Sequence, residues 1–178
     1  NTLTYNVNGG GGTAPASQTQ SVPAQTLTVS SSYTGTRTGF HFDGWNTQAN
    51  GYGTDYANGS SIRPIGAITL YAKWTSTITY NGNSNTGGSV PNSTTAVSSA
   101  ALTFLAPNDG SSVNPSDPVV KTGFTFAGWN TNKYGTGTSY PAGSSYTVNG
   151  STTLYAQFNA VLTYLSNGAG SGTPPSQV

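Results

Sequence analysis

A chain of 178 residues with five Lys and Arg, four Asp and no Glu has a formal net charge of +1, so it advertises neither an acidic nor a basic partner. Cysteine and methionine are absent, which excludes disulfides and thiolate metal sites, and no apolar run approaches the roughly 20 residues a membrane-spanning helix needs. Leu, Ile, Val and Phe supply only 29 residues, but 11 Tyr and 3 Trp restore the missing apolar area, so a folded chain is expected.

The first segment with period-two alternation is "LTYN" at 3–6, with Leu3 and Tyr5 on one face and Thr4 and Asn6 on the other. "NGGGGT" at 8–13 follows as a flexible loop, since it lacks the Gly-Lys-Ser/Thr ending of a phosphate-binding loop. In "GFHFDGWNT" at 39–47, Phe40 and Phe42 share one face and His41 and Asp43 the other. Gly44 then allows a tight bend or close backbone approach, and Trp45 caps the core. "AITLYAKW" at 67–74 points Ile68, Leu70, Ala72 and Trp74 inward and Thr69, Tyr71 and Lys73 outward. The 24 Gly and 10 Pro cluster between such runs, as turn residues do.

The chain then repeats itself. Gly39, Phe40, Phe42, Gly44, Trp45, Asn46 and Thr47 recur at a spacing of 84 as Gly123, Phe124, Phe126, Gly128, Trp129, Asn130 and Thr131. "ITLYAKW" recurs in "TTLYAQF", so Thr152, Leu154, Ala156 and Phe158 point inward and Thr153, Tyr155 and Gln157 outward. Upstream the spacing is 75, from "LTYN" to "ITYN" at 78–81, so nine residues are inserted in the second copy, in the turn-rich loop "APNDGSSVNPSDP". "TAVSSAALTFL" at 95–105 is the nearest approach to a helical pattern. A third copy opens at "LTYL", 162–165, and runs to Val178.

The expected organisation is one module over 1–75, a second over 76–160 with its insertion at about 105–118, and the start of a third over 161–178. The expected fold is mainly β with little helix, each copy having about four short strands. The chain is expected to be a mature window of a longer tandem array.

A residue needed for packing should survive in both copies. That places Phe40, Phe42, Trp45, Leu70 and Trp74 in one core and Phe124, Phe126, Trp129, Leu154 and Phe158 in the other. Tyr71 and Tyr155, on outward strand faces, are the candidate ligand-facing aromatics. No catalytic residue is expected: His41 and Asp43 share a strand face, but Thr125 and Ala127 replace them in the second copy, and no nucleophile elbow is present. No metal or cofactor is expected either, because Asp43, Asp55, Asp109 and Asp117 are scattered and form no calcium loop. Arg37, Arg63, Lys73, Lys121 and Lys133 form no basic cluster that would suit nucleic acid. Lys73 as an internal cross-link has little support, with Gln157 in its place and no Glu in the chain.

The segment "KTGFTFAGWNTNKYGTGTSYPAGSSYTVNGSTTLYAQF" at 121–158, "TGFHFDGWNT" with "ITLYAKW", and "LTYN" with its following Asn-Gly-Gly together resemble the Listeria-Bacteroides repeat, a relative of the internalin B-repeat. The resemblance covers essentially the whole chain. It implies a small β-grasp-like module, arrayed in secreted or surface-attached bacterial proteins, often adhesins, without enzymatic activity. The departures are the inserted loop, Phe158 in place of a terminal Trp, and the low charge.

Two functions compete. In one, the modules form a stalk, fibre or adhesin spacer outside the cell, with neighbouring repeats or further copies of the chain as partners. Residues 162–165 would then extend a sheet by edge addition. In the other, exposed aromatics bind a glycan or a surface protein. Neither reading calls for nucleic acid or membrane insertion.

Overall fold

The computed structural model describes residues 1–21, 25–103, 119–141 and 144–162. The strands are β1 (Thr2–Asn6), β2 (Gln18–Thr19), β3 (Leu27–Thr28), β4 (His41–Asn46), β5 (Asp55–Tyr56), β6 (Ser61–Ile62) and β7 (Ile68–Asn81). There follow β8 (Thr94–Val97), β9 (Ala101–Thr103), β10 (Phe124–Asn130), β11 (Ser139–Tyr140), β12 (Ser145–Thr147) and β13 (Thr152–Ala160). The protein is mainly β, with no helix among the described residues.

The chain divides into two compact units. One comprises Asn1–Thr79, Ser93–Thr103 and Ser145–Thr153; the other comprises Tyr80–Asn92, Phe104–Ser144 and Leu154–Val178. These units do not follow the sequence period, because the first includes two segments of the second repeat.

In the first unit β1 runs parallel to β7, from Leu3↔Ile68 to Asn6↔Tyr71. On the opposite edge of β7 lies β4, antiparallel, from His41↔Thr75 to Asn46↔Tyr71. The alternating residues of these strands then meet on one face, where Leu3, Trp45, Leu70 and Ala72 are fully buried and Trp74 is 2% exposed. Tyr5 meets Trp45 edge-on with ring centroids 4.7 Å apart, and Phe42 stands 5.4 Å from Trp45 and 5.5 Å from Trp74. The indoles also bond to the backbone: Trp45 Nε1 donates to Ser30 O at 3.2 Å and Trp74 Nε1 to Val7 O at 3.0 Å. Each ring therefore buries area without stranding its polar atom. Removing such a ring costs about 3–5 kcal/mol, a large share of the roughly 5–15 kcal/mol that holds a domain folded.

Phe42 and Trp45 are three residues apart and would point to opposite faces of a regular strand. A bulge resolves this, since the register of β4 on β7 shifts between Phe42 and Trp45. Gly44 makes the bulge with φ +90, and a Cβ there would lie 2.9 Å from Tyr56 O. Gly128 repeats the device with φ +129 and a Cβ position 2.7 Å from Tyr140 O.

The second unit builds the same cluster. Here β10 pairs antiparallel with β13 and with β11, with a register shift between Phe126 and Gly128. Trp129, Leu154 and Ala156 are fully buried. Tyr80 stands 4.9 Å and Phe126 5.3 Å from the Trp129 ring, the counterparts of Tyr5 and Phe42 around Trp45.

Three expectations need amending. Phe124 is not a core residue: it is 41% exposed, beneath Lys121 Nζ at 4.8 Å from its ring centre. Phe40, Phe42, Phe126 and Phe158 are half-buried at the margin of the clusters rather than central. The segment proposed as nearest to helical forms β8 and β9 instead, joined through Ser99 at φ +66, because β7 and β12 offer it strand partners. The inserted loop at about 105–118, and residues 163–165 of the proposed edge strand, lie outside the described residues. Leu162 is described and lies outside any strand.

The bulge is directly testable. Gly44→Ala combines an unfavourable φ with a backbone clash, and is expected to cost about 1–3 kcal/mol. A denaturant midpoint that falls without change of slope would register it. An unchanged midpoint would mean that the bulge is not needed.

Candidate functional site

The residues following each buried Trp organise a loop that presents an exposed aromatic. Asn46, fully buried at the end of β4, accepts from Gln48 N at 2.8 Å and Gly53 N at 2.9 Å through Oδ1. Its Nδ2 donates to Gly51 O at 3.2 Å and to Asp55 Oδ1 at 2.5 Å. Thr47 adds Oγ1 as acceptor for Thr54 N at 2.8 Å. A single buried amide thereby satisfies polar groups from four other residues of the turn.

The second copy reproduces this network, with Ser139 in place of Asp55 and one further bond. Asn130 is also fully buried, and its Oδ1 accepts from Asn132 N at 2.7 Å and Gly137 N at 3.1 Å. Its Nδ2 donates to Gly135 O and Gly137 O, each at 3.2 Å, and to Ser139 Oγ at 2.8 Å. Thr131 Oγ1 accepts from Thr138 N at 2.9 Å. A further asparagine ties the start of each copy to the same region. Asn8 Nδ2 donates to Ala49 O at 2.7 Å and Ala72 O at 2.9 Å, and Asn83 Nδ2 to Lys133 O and Ala156 O at 2.8 Å each.

These loops carry the exposed rings Tyr52 (68%) and Tyr134 (77%). Tyr71 and Tyr155 are half-buried within β7 and β13 and offer less open surface. Sequence reasoning missed Tyr52 and Tyr134 because they occupy different offsets in their loops. The available signal was their place beside glycine in "NGYGT" and "KYGTG". In the first unit Tyr52 borders a shallow hollow of about 480 Å³ shared with Asn8, Arg37, Asn50 and Ser98.

Beside the loop, the copies differ in charge. In copy one Lys73 Nζ lies 2.6 Å from Asp55 Oδ2 and 3.9 Å from Asp43 Oδ2. Partial desolvation pushes the Asp55 carboxyl up, but hydrogen bonds from Lys73 and Asn46 and the Lys73 charge outweigh it, so it sits below the usual carboxylate range. The small stabilisation is therefore present above the ordinary Asp pKa of about 3.9 and is lost as pH falls through the lowered folded value. The Asp55 side chain is 56% exposed, and an exposed pair of this kind contributes only about 0.2–1 kcal/mol. Copy two replaces all three residues with neutral ones, Ala127, Ser139 and Gln157, which border a hollow of about 250 Å³. His41 is exposed on β4 with Thr125 in its place in copy two. Among the described residues, no group of three or more His, Cys, Asp or Glu is arranged to hold a metal.

Two outcomes follow. The triple replacement Asp43→Ala, Asp55→Ser and Lys73→Gln, which gives copy one the neutral set of copy two, is expected to shift stability by less than about 1 kcal/mol. A larger loss in a denaturant titration would make the triad a structural necessity. Asn46→Asp is expected to destabilise more than Asn130→Asp, because it sets a second carboxylate against Asp55 where the other meets the Ser139 hydroxyl. That difference should shrink below about pH 4, where the carboxylates protonate. Equal costs at neutral pH would contradict the assigned network.

The family model described as the Listeria-Bacteroides repeat domain matches twice in tandem, over residues 2–73 and 77–157. Among curated proteins, the chain is 30% identical over 151 residues to one from Evansella cellulosilytica named "Putative Gly-rich membrane protein". The match covers 80% of this chain but 16% of that protein. No solved structure matches. No helix of the described residues is long and apolar enough to cross a membrane.

Proposed function

Since the chain belongs to the Listeria-Bacteroides repeat family, we propose that it is a non-catalytic spacer, a stretch of tandem modules that holds another part of a larger bacterial protein away from the cell. One observation carries this reading. What the two copies share is the aromatic interior, the bulge glycine and the Asn-held loop, while the residues able to do chemistry in copy one, His41, Asp43, Asp55 and Lys73, become Thr125, Ala127, Ser139 and Gln157 in copy two. A spacer needs the shared set alone, whereas a catalytic or metal site would need the set that is lost.

The tandem arrangement suits the role because stability in repeat proteins grows by adding modules and their neighbour interfaces, without a larger core. A low charge and a surface of Ser, Thr, Asn and Gly fit an extracellular setting. The membrane protein of Evansella, of which the chain matches a minor part, is in keeping with a modular segment of a larger cell-surface protein.

A second reading has its own support: Tyr52 and Tyr134 are open rings on loops held by buried asparagines, a rigid presentation suited to stacking on a sugar ring or meeting a protein surface. Small-angle scattering on arrays of two, four and six repeats separates the two. A spacer predicts a maximum dimension that rises linearly with repeat number, and growth as the cube root would contradict it. Saturable binding to a glycan panel that Tyr52→Ala and Tyr134→Ala abolish would favour the binding module instead.

A further inference from the structure

Within the first unit, the last strand of the first repeat is not left with an open edge. Past Trp74, residues 75–78 of β7 pair antiparallel with β8, in the register Thr75↔Val97, Ser76↔Ala96, Thr77↔Thr95 and Ile78↔Thr94. β7 runs from the last strand of the first repeat into the first strand of the second, so β8 pairs within its own repeat at Ser76–Ile78 and reaches back over the first repeat at Thr75. Further bonds fasten it: Ser98 N donates to Trp74 O at 2.9 Å, Arg37 Nη1 to Ser98 Oγ at 3.0 Å, and Ser151 N to Gly39 O at 2.7 Å. Under this cover Trp74, Thr75 and Ser76 are only 2%, 6% and 2% exposed. Thr75 and Ser76 are buried on consecutive positions where β8 pairs, a departure from simple alternation.

The spacing of 84 gives each of these residues a counterpart in the second repeat. Trp74 corresponds to Phe158, residues 75–77 to Asn159, Ala160 and Val161, Phe40 to Phe124, and Arg37 to Lys121. There the same face is open. Asn159 and Ala160 are exposed, Val161 is 49% exposed and Phe124 41%. The counterpart of β8 for this repeat falls beyond the described residues.

We propose that this face of the second unit is the acceptor for a following repeat of the same family, whose second strand adds antiparallel to residues 159–161 as β8 adds to 75–77. The chemistry is that of edge addition: backbone N–H and C=O groups of the edge are satisfied, and Phe124, Phe158 and Val161 gain apolar cover. Lys121 stands where Arg37 receives its serine partner. The occupant is a repeat rather than a glycan or an unrelated protein, because the counterpart surface already holds one. The inference rests on the spacer reading for its biological sense, and adds the interface by which successive modules join.

Hydrogen exchange read on short fragments tests it. In the 178-residue chain, fragments covering residues 75–78 should exchange at least about tenfold more slowly than those covering 159–161. Ala96→Pro, which disrupts β8 opposite Ser76, should bring 75–78 to the faster rate while β10 stays protected. Val161 N already donates to Gly123 O at 3.1 Å, so on this strand it is the Ala160 N–H that faces the open edge. Appending one further repeat with the sequence of residues 77–160 directly after Ala160 should slow exchange at Ala160 by at least about tenfold. Exchange at Ala160 equally fast with and without the appended repeat, with β10 equally protected in both, would overturn the proposal. Scattering from the arrays judges the spacer reading separately, so either can fail while the other stands.

Discussion

The fold depends on burying the one tryptophan that recurs in each module, in a chain that has little else to bury. Trp45 and Trp129 are fully buried, each edge-on to a tyrosine from the module's first strand and a phenylalanine from its own. A ring of this size is worth about 3–5 kcal/mol to the fold, against less than about 1 kcal/mol for the exposed Lys73 and Asp55 pair. The aromatic cluster therefore determines which residues must recur, and the charges are free to vary. That division of labour underlies the functional reading, because the variable set includes the histidine and the charged residues beside the loop, His41, Asp43, Asp55 and Lys73.

The tryptophan sets conditions on the backbone around it. For Phe42 and Trp45 to reach the same core the strand must bulge, and the bulge brings Gly44 against the carbonyl of Tyr56. Immediately after the ring, the chain turns away with several polar groups unpaired by any strand, and Asn46 supplies their partners from inside. One short phrase thus carries core, bend and loop anchor in successive residues, which accounts for its recurrence as a block. The loop it anchors faces solvent in both copies with a large aromatic, Tyr52 or Tyr134.

How much of this could be read beforehand varies with how local its cause is. Leu70, Ala72, Leu154 and Ala156 were legible as inward positions because alternation along a strand is a local pattern, and two copies acted as a mutual control. The glycine of the bulge was legible as a point of close approach, though not its partner carbonyl ten or more residues away. Asn46 and Asn130 were visible as recurring letters without a role, since asparagine is common in turns and its bonds here depend on the loop's path. The exposure of Phe124 was not legible at all. Its counterpart Phe40 is half-buried against the first repeat's core. The segment with a weak helical pattern formed β8 and β9 because available strand edges outweighed that pattern.

The molecule is best understood as a period of sequence that does not coincide with its units of packing. The first compact unit includes Ser93–Thr103 and Ser145–Thr153, which belong by sequence to the second repeat. The aromatic cluster of the first unit is nonetheless made of first-repeat residues alone, from Leu3 to Trp74, so the second repeat adds to that unit without building its centre. The most direct measurement of the central claim is acrylamide quenching of tryptophan emission in the native chain. Interiors built on Trp45, Trp74 and Trp129, which are 0%, 2% and 0% exposed, predict blue-shifted emission with little quenching until the chain unfolds. Emission near that of free tryptophan, quenched as readily in the native protein as in the denatured one, would contradict the account.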